Sequence, residues 1–214
     1  MKTITIGSAV PNPEMQRQHI YCPSLQGLSA RLADASFLMP RIDQNQRVKE
    51  TKGHGQWAAA IAADPFGSNT AHFRALKEAG YSGVTNWPSS ILLEGQTQQA
   101  ISTIPATPLA EYHYLANAQE AGLSTLAFFL TPDQAADALA AGLRSLVLHP
   151  GILLDVDEAG GAMIRGALGS IIASVKQISP EISVHVYTSQ WHDQVIGLSQ
   201  VTCDGFVRLE ETSK

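Results

Sequence analysis

One stretch of this sequence limits the fold more than any other. From Trp57 to Pro88, an apolar run, a helix-forming run and a second short apolar run follow one another within about thirty residues, the length of a βαβ unit. Trp57-Ala58-Ala59-Ala60-Ile61-Ala62-Ala63 carries no charge and suits a strand buried on both faces. It stops at Asp64-Pro65, because Pro has no N–H for a central ladder. Ser68, Asn69 and Thr70 are helix-capping types, Phe73 and Leu76 recur at helical spacing, and Gly80 supplies the stop. Gly83 to Trp87 is the next strand, ended by Pro88. Such a crossover makes its two strands parallel neighbours. Asp64 and Asn86 then fall at equivalent C-terminal strand ends, where sites of parallel α/β folds gather.

The rest of the chain repeats this alternation. Strands are expected at residues 3–6, 19–22, 124–130, 145–149, 182–187 and 205–209, making eight in all. Helices are expected at 44–51, 96–104, 108–121, 135–141, 162–178 and 191–198, with Leu109, Tyr112 and Leu115 on one stripe of the 108–121 region. Residues 25–36 read either as a helix or as an irregular excursion. Only about nine residues separate the first strand from the second, too few for a parallel crossover helix. Few residues follow the last strand. The expected fold is a TIM-type (β/α)8 barrel over 1–214 as one domain, degenerate, with outer helices 1 and 8 missing or reduced.

Composition narrows the class. The 214 residues are 44% hydrophobic and only 15% charged, which favours buried sheet over disorder. A net charge of −5 argues against nucleic acid and anionic membranes as partners. With no signal peptide, no spanning segment and two cysteines, Cys22 and Cys203, that form no disulfide framework, the expected location is the cytoplasm. Strands one and eight would be neighbours lacking helical cover. Ile4, Ile6, Phe206 and Val207 would then form an outward apolar strip, and a homodimer is expected across it.

Reading the strand ends gives Ser8, Ser24, Asp64, Asn86, Thr131, His149, Ser189 and Glu210 as rim candidates. His149 suits acid/base work and Asp64 suits a base or a metal ligand. His185 lies in mid-strand and reads as packing, Glu111 as a solvated helix face, and the three tryptophans as packing. Gly151 with Gly160-Gly161 suggests a phosphate-cradling loop, but Asp155, Asp157 and Glu158 would repel a dianion. Nucleotide-binding glycine fingerprints and a serine nucleophile elbow are absent from the sequence.

Several segments together resemble a known family. They are Asp64-Pro65-Phe66, Gly80-Tyr81-Ser82-Gly83-Val84-Thr85-Asn86-Trp87-Pro88, Phe37-Leu38-Met39-Pro40 with Asp43 and Asn45, Glu111, Thr131-Pro132, and Leu148-His149-Pro150-Gly151. This pattern is similar to the phosphoenolpyruvate hydrolase-like barrels, relatives of the phosphoenolpyruvate mutase and isocitrate lyase barrels. The chain departs from it at Pro23-Ser24-Leu25-Gln26, at Ala30-Arg31-Leu32-Ala33-Asp34 and after the last strand, where phosphate-binding equipment is lost. The resemblance implies a hydrolase or lyase acting on a small oxo or carboxylate compound. On this expectation Asp64, Asn86 and His149 are catalytic, Ser24, Pro88, Glu111 and Gly151 bind substrate, and Asp64 holds Mg²⁺. The competing expectation is a barrel that has lost catalysis and serves in binding or assembly. A phosphate-sugar barrel of the tryptophan synthase α type is weaker, because it too needs the phosphate loops.

Overall fold

The computed structural model describes residues 2–14, 18–37, 42–62, 64, 67–104, 106–153 and 156–210. Eight parallel strands close into a barrel in chain order. They are β1 Lys2–Gly7, β2 His19–Tyr21, β3 Trp57–Ala60, β4 Gly83–Asn86, β5 Ser124–Phe129, β6 Ser145–Leu148, β7 Ser183–Thr188 and β8 Gly205–Leu209. Closure comes from β8 pairing with β1, with Ile4 opposite Val207 and Ile6 opposite Leu209.

Alternation along each strand sorts side chains into two layers. Ile6, Ile20, Ala59, Phe128, Val147 and Val207 fill the inside. Ala58, Ala60, Val84, Phe129 and Leu148 face outward, under the helices. The helices are α1 Ala30–Ala33, α2 Gln44–Lys49, α3 Asn69–Glu78, α4 Gly95–Ile101, α5 Pro108–Glu120, α6 Pro132–Ala140, α7 Glu158–Ile178 and α8 Gln190–Ile196. Their starts follow from capping. Thr131 and Gln134 form a capping box on α6, and Asp157 accepts from Gly160 N on α7. These contacts account for Thr131 and for the acidic start of α7. Leu109 is exposed, and the buried face of α5 is instead Glu111, Tyr112, Tyr114, Leu115 and Ala118.

Helix α2 ties down three strand ends. Gln44 Nε2 donates to Ala59 O at 3.0 Å and to Trp87 O at 2.6 Å, while its Oε1 accepts from Cys22 Sγ at 3.4 Å. Asn45 pairs with both backbone groups of Ile61. Both cysteines are free. Residues 25–36 resolve as a loop, then α1, then a 3-10 turn at Asp34–Phe37.

The seam differs from the sequence expectation in chemistry. Among the described residues between β1 and β2 there is no helix. The described residues of this segment are held where Gln56 Nε2 donates to Asn12 O and where His19 Nε2 lies 3.3 Å from Ala9 O. Ile4, Ile6, Phe206 and Val207 are all buried, so the expected apolar strip is not on the surface. Three of them point into the barrel, because strand parity turns Ile4, Ile6 and Val207 inward. The outside of the seam is polar. Thr5 Oγ1 lies 2.9 Å from His19 Nδ1, and Glu210 Oε1 lies 3.6 Å from that same nitrogen. Hydrogen bonding to His19 holds the Glu210 carboxyl below its usual range. Leu38, Met39, Pro40, Ala63, Pro65, Phe66 and Asp155, and the residues beyond Glu210 where an eighth helix was expected, lie outside the described residues.

Gly83 is needed for close approach. A Cβ there would stand 2.6 Å from the Trp57 ring and 2.9 Å from Ser124 O. Gly83→Ala is therefore expected to cost about 2 kcal/mol of stability, as overpacking does. Urea unfolding checks this, and the double variant with Trp57→Ala should recover part of the loss.

Candidate active site

His149 follows the last residue of β6 and keeps the strand's alternation, so its ring enters the mouth of the barrel. Its backbone N–H donates to Phe129 O at 2.9 Å. The ring lies nearly parallel to Trp87, at 5.3 Å and 19°, and to Tyr187, at 4.8 Å and 17°. Gly151 N donates to His149 Nδ1 at 3.1 Å, which puts the imidazole proton on Nε2. Nε2 then donates to Asp34 Oδ1 at 3.2 Å. Gly151 has φ +87°, the left-handed conformation that turns its N–H back onto the histidine. Its amide therefore serves His149 rather than a phosphate.

Asp34 arrives from the segment that covers the mouth. Ala30 and Ala33 pack into the inner core, and Arg31 lies 5.6 Å from the centre of the Trp191 ring. Beneath this cover His149 and His192 are 0% exposed and Asp34 7%. His192 sits in the first turn of α8. Its backbone N–H donates to Ser189 Oγ at 3.1 Å, and its Nδ1 lies 2.9 Å from the same oxygen. Burial pushes the His192 imidazole down to about 4, with Asp34 pulling it up and His149 pushing it down. Three buried polar atoms of this region, Trp87 Nε1, Ser36 Oγ and His192 Nε2, have no hydrogen-bond partner among the described residues.

The other expected site residues do not join this cluster. Asn86 faces outward. It donates to Glu111 Oε2 at 2.7 Å and accepts from Phe128 N at 2.7 Å. Glu111 is not solvated but 0% exposed, and it also accepts from Ser90 N at 2.7 Å and from Ser89 Oγ. Burial pushes the Glu111 carboxyl up, against the pull of these donors. The Asn86–Glu111 pair clamps α5 to the barrel wall. Pro88 follows Trp87 through a cis peptide bond and is buried. Ser24 lies beyond β2, 3.4 Å from Cys22 Sγ. His185 sits two residues below Tyr187 on β7, one layer beneath His149, so the two histidines are not paired.

Asp64 lies among the helices, in a small cavity of about 10 Å³ lined also by Asn45, His72 and Tyr114. Asn45 Nδ2 stands 3.5 Å from its Oδ2. Among the described residues no group of three or more His, Cys, Asp or Glu is placed to hold a metal ion. Among the described residues, Asp64 is met in that cavity by Asn45, His72 and Tyr114 rather than by the several oxygen ligands in octahedral array that Mg²⁺ favours. A groove of about 810 Å³ runs between α3 and α5 past Phe73, Arg74 and Asn117, away from the mouth. No helix among the described residues is long and apolar enough to cross a membrane.

Sequence reading put His149 at a strand end, where the structure has it, and singled out neither Asp34 nor His192. Asp34 falls in a segment with no clear periodicity. His192 stands three residues past Ser189, a strand-end residue already in view, and that nearness was the available signal.

Comparison with known proteins agrees with this architecture. Residues 34–189 match the family described as Phosphoenolpyruvate hydrolase-like. The uncharacterized protein y4oT of Sinorhizobium fredii is 29% identical over 150 residues, covering 67% of this chain and 76% of that protein. The ToMV susceptible protein tm-1(GCR26) of Solanum lycopersicum is 29% identical over 156 residues, covering 73% of this chain but only 20% of the tomato protein. A solved structure assigned as a phosphonomutase from Burkholderia cenocepacia J2315 superposes with a TM-score of 0.51 at 14% identity, over 96% of this chain and 85% of that one. At that identity the likeness concerns the fold.

The buried His192 predicts a pH dependence. An unfolded chain takes up this proton near pH 6.5, the folded chain only near 4. The contribution is thus present above 6.5 and lost as pH falls toward 4, by roughly 3 kcal/mol. Glu111 acts with the opposite sign, its contribution fading as pH rises. Urea unfolding of wild type and His192→Gln at several pH values isolates the histidine: the variant should lose less stability across that window.

Proposed function

The chain belongs to the phosphoenolpyruvate hydrolase-like family, and from that premise we propose a lyase- or hydrolase-type barrel that works by proton transfer on a small oxo or carboxylate compound at the C-terminal mouth. The observation that carries this reading is the buried Asp34–His149 pair at the end of β6, at the place where barrels of this type hold their chemistry. A buried imidazole bonded to a carboxylate is oriented and can stabilise positive charge in a medium of low dielectric. Trp87 Nε1–H and Ser36 Oγ–H are donors free to meet a substrate carboxylate or a developing enolate oxygen. Access requires the Ala30–Phe37 segment to lift, which carries Asp34 out and back with it. No step in this reading passes through a metal.

A second reading has its own support. Trp87, Phe128, Tyr187 and His149 pack ring against ring in the mouth, and Ala30 and Ala33 close over them. That is how a barrel would look once its mouth had become core and its surface had been turned to binding. The tomato relative is named for a virus rather than for a reaction, in keeping with this alternative.

The two readings separate in one assay. The protein is incubated with phosphoenolpyruvate, oxaloacetate or phosphonopyruvate, and pyruvate is followed with a coupled dehydrogenase. The enzyme reading expects release above the uncatalysed rate, falling about 100-fold in His149→Gln. Failure to release pyruvate from any of the three would favour the plugged barrel.

A further inference from the structure

We infer that His192 is the catalytic residue that exchanges a proton with the substrate, and that His149 and Asp34 are positioning residues beside it. This rests on the reading of the mouth as an active site. A general base needs one ring nitrogen held and the other free to meet the proton. His149 does not meet that requirement. Its Nδ1 accepts from Gly151 N, and its Nε2 is bonded to Asp34. Using either nitrogen would break a buried hydrogen bond and release the ring.

His192 has the required arrangement. Ser189 Oγ holds the backbone and Nδ1 from one side, at 3.1 and 2.9 Å. Tyr187 and Trp191 meet the ring edge-on or face-on, at 5.7 Å and 69° and at 5.0 Å and 60°. The remaining nitrogen, Nε2, is buried with no partner among the described residues. In the tautomer whose Nδ1–H is donated to Ser189 Oγ, Nε2 carries the lone pair. Both histidines lie against the same Tyr187 ring, at the mouth of the barrel.

Other groups of the mouth cannot take this role. Trp87 Nε1 is a donor only, and the Ser36 hydroxyl is too weak a base. Glu111 is saturated by its three donors on the outer wall. His185 belongs to a lower layer.

The step is balanced without a co-reactant. A substrate C–H or O–H bond breaks, its electron pair stays on the substrate as enolate or alkoxide, and the proton passes to Nε2. The imidazolium so formed keeps its Nδ1–H on Ser189 and lies in the field of the Asp34 carboxylate. The same proton returns to the product or leaving group. Burial supports the resting form, since the ring is neutral at pH 7 and its lone pair is available.

The test uses whichever of the three compounds above the wild type converts. His192→Gln should lower kcat at least about 100-fold with KM within about threefold, a split that loss of packing would not produce. Ser189→Ala should lower kcat by a smaller factor at unchanged KM. His192→Asn replaces the glutamine variant if that one does not fold. An active wild type with His192→Gln equally active would overturn this inference and leave the earlier reading intact. A wild type inactive on all three compounds would overturn both.

Discussion

The pairing of β8 with β1 is the constraint on which the rest of the molecule depends. Once the sheet is closed, each strand has one inner and one outer face, and no edge is left to relax the register. Position along the strand then decides the fate of every side chain at its end. On β4, Thr85 and Trp87 turn inward, so Asn86 between them must turn outward. On β6, Val147 turns inward, Leu148 outward, and His149 inward again. Asn86 becomes part of the wall and His149 part of the mouth, although both stand at strand ends.

The buried polar groups follow from these two assignments. Outside, Glu111 is enclosed by Asn86, Ser89 and Ser90, which satisfy a carboxylate that burial would otherwise make costly. Gln44 and Asn45 do comparable work at the tops of β2, β3 and β4, pairing backbone groups that the ladder leaves open. Inside, the polar groups are only partly satisfied. Trp87 Nε1, Ser36 Oγ and His192 Nε2 remain unpaired among the described residues.

Under the proposed function, the cover over the mouth would couple the chemistry to motion. One short segment contributes the alanines that close the core and the aspartate bonded to His149. Lifting it exposes the rings and separates Asp34 from His149 at once. On that proposal, assembly of the site and exclusion of water would be the same event.

The sequence by itself determined the barrel. Apolar strands alternate with capped helices along most of the chain, and these are local properties that local periodicity reports. It also put His149 at a strand end and left no room for a helix between β1 and β2, where the described residues hold none. Which face each residue occupies was decided only by the closed fold. Ile4, Ile6 and Val207 went inside rather than onto a surface strip, Glu111 into the wall rather than into solvent, and Asp64 among the helices rather than beside His149. Asp34 and His149 are separated by 115 positions, and His192 comes from a third element. No short-range pattern links them. Only ring closure, which sets strand parity and brings distant loops over one mouth, makes them neighbours.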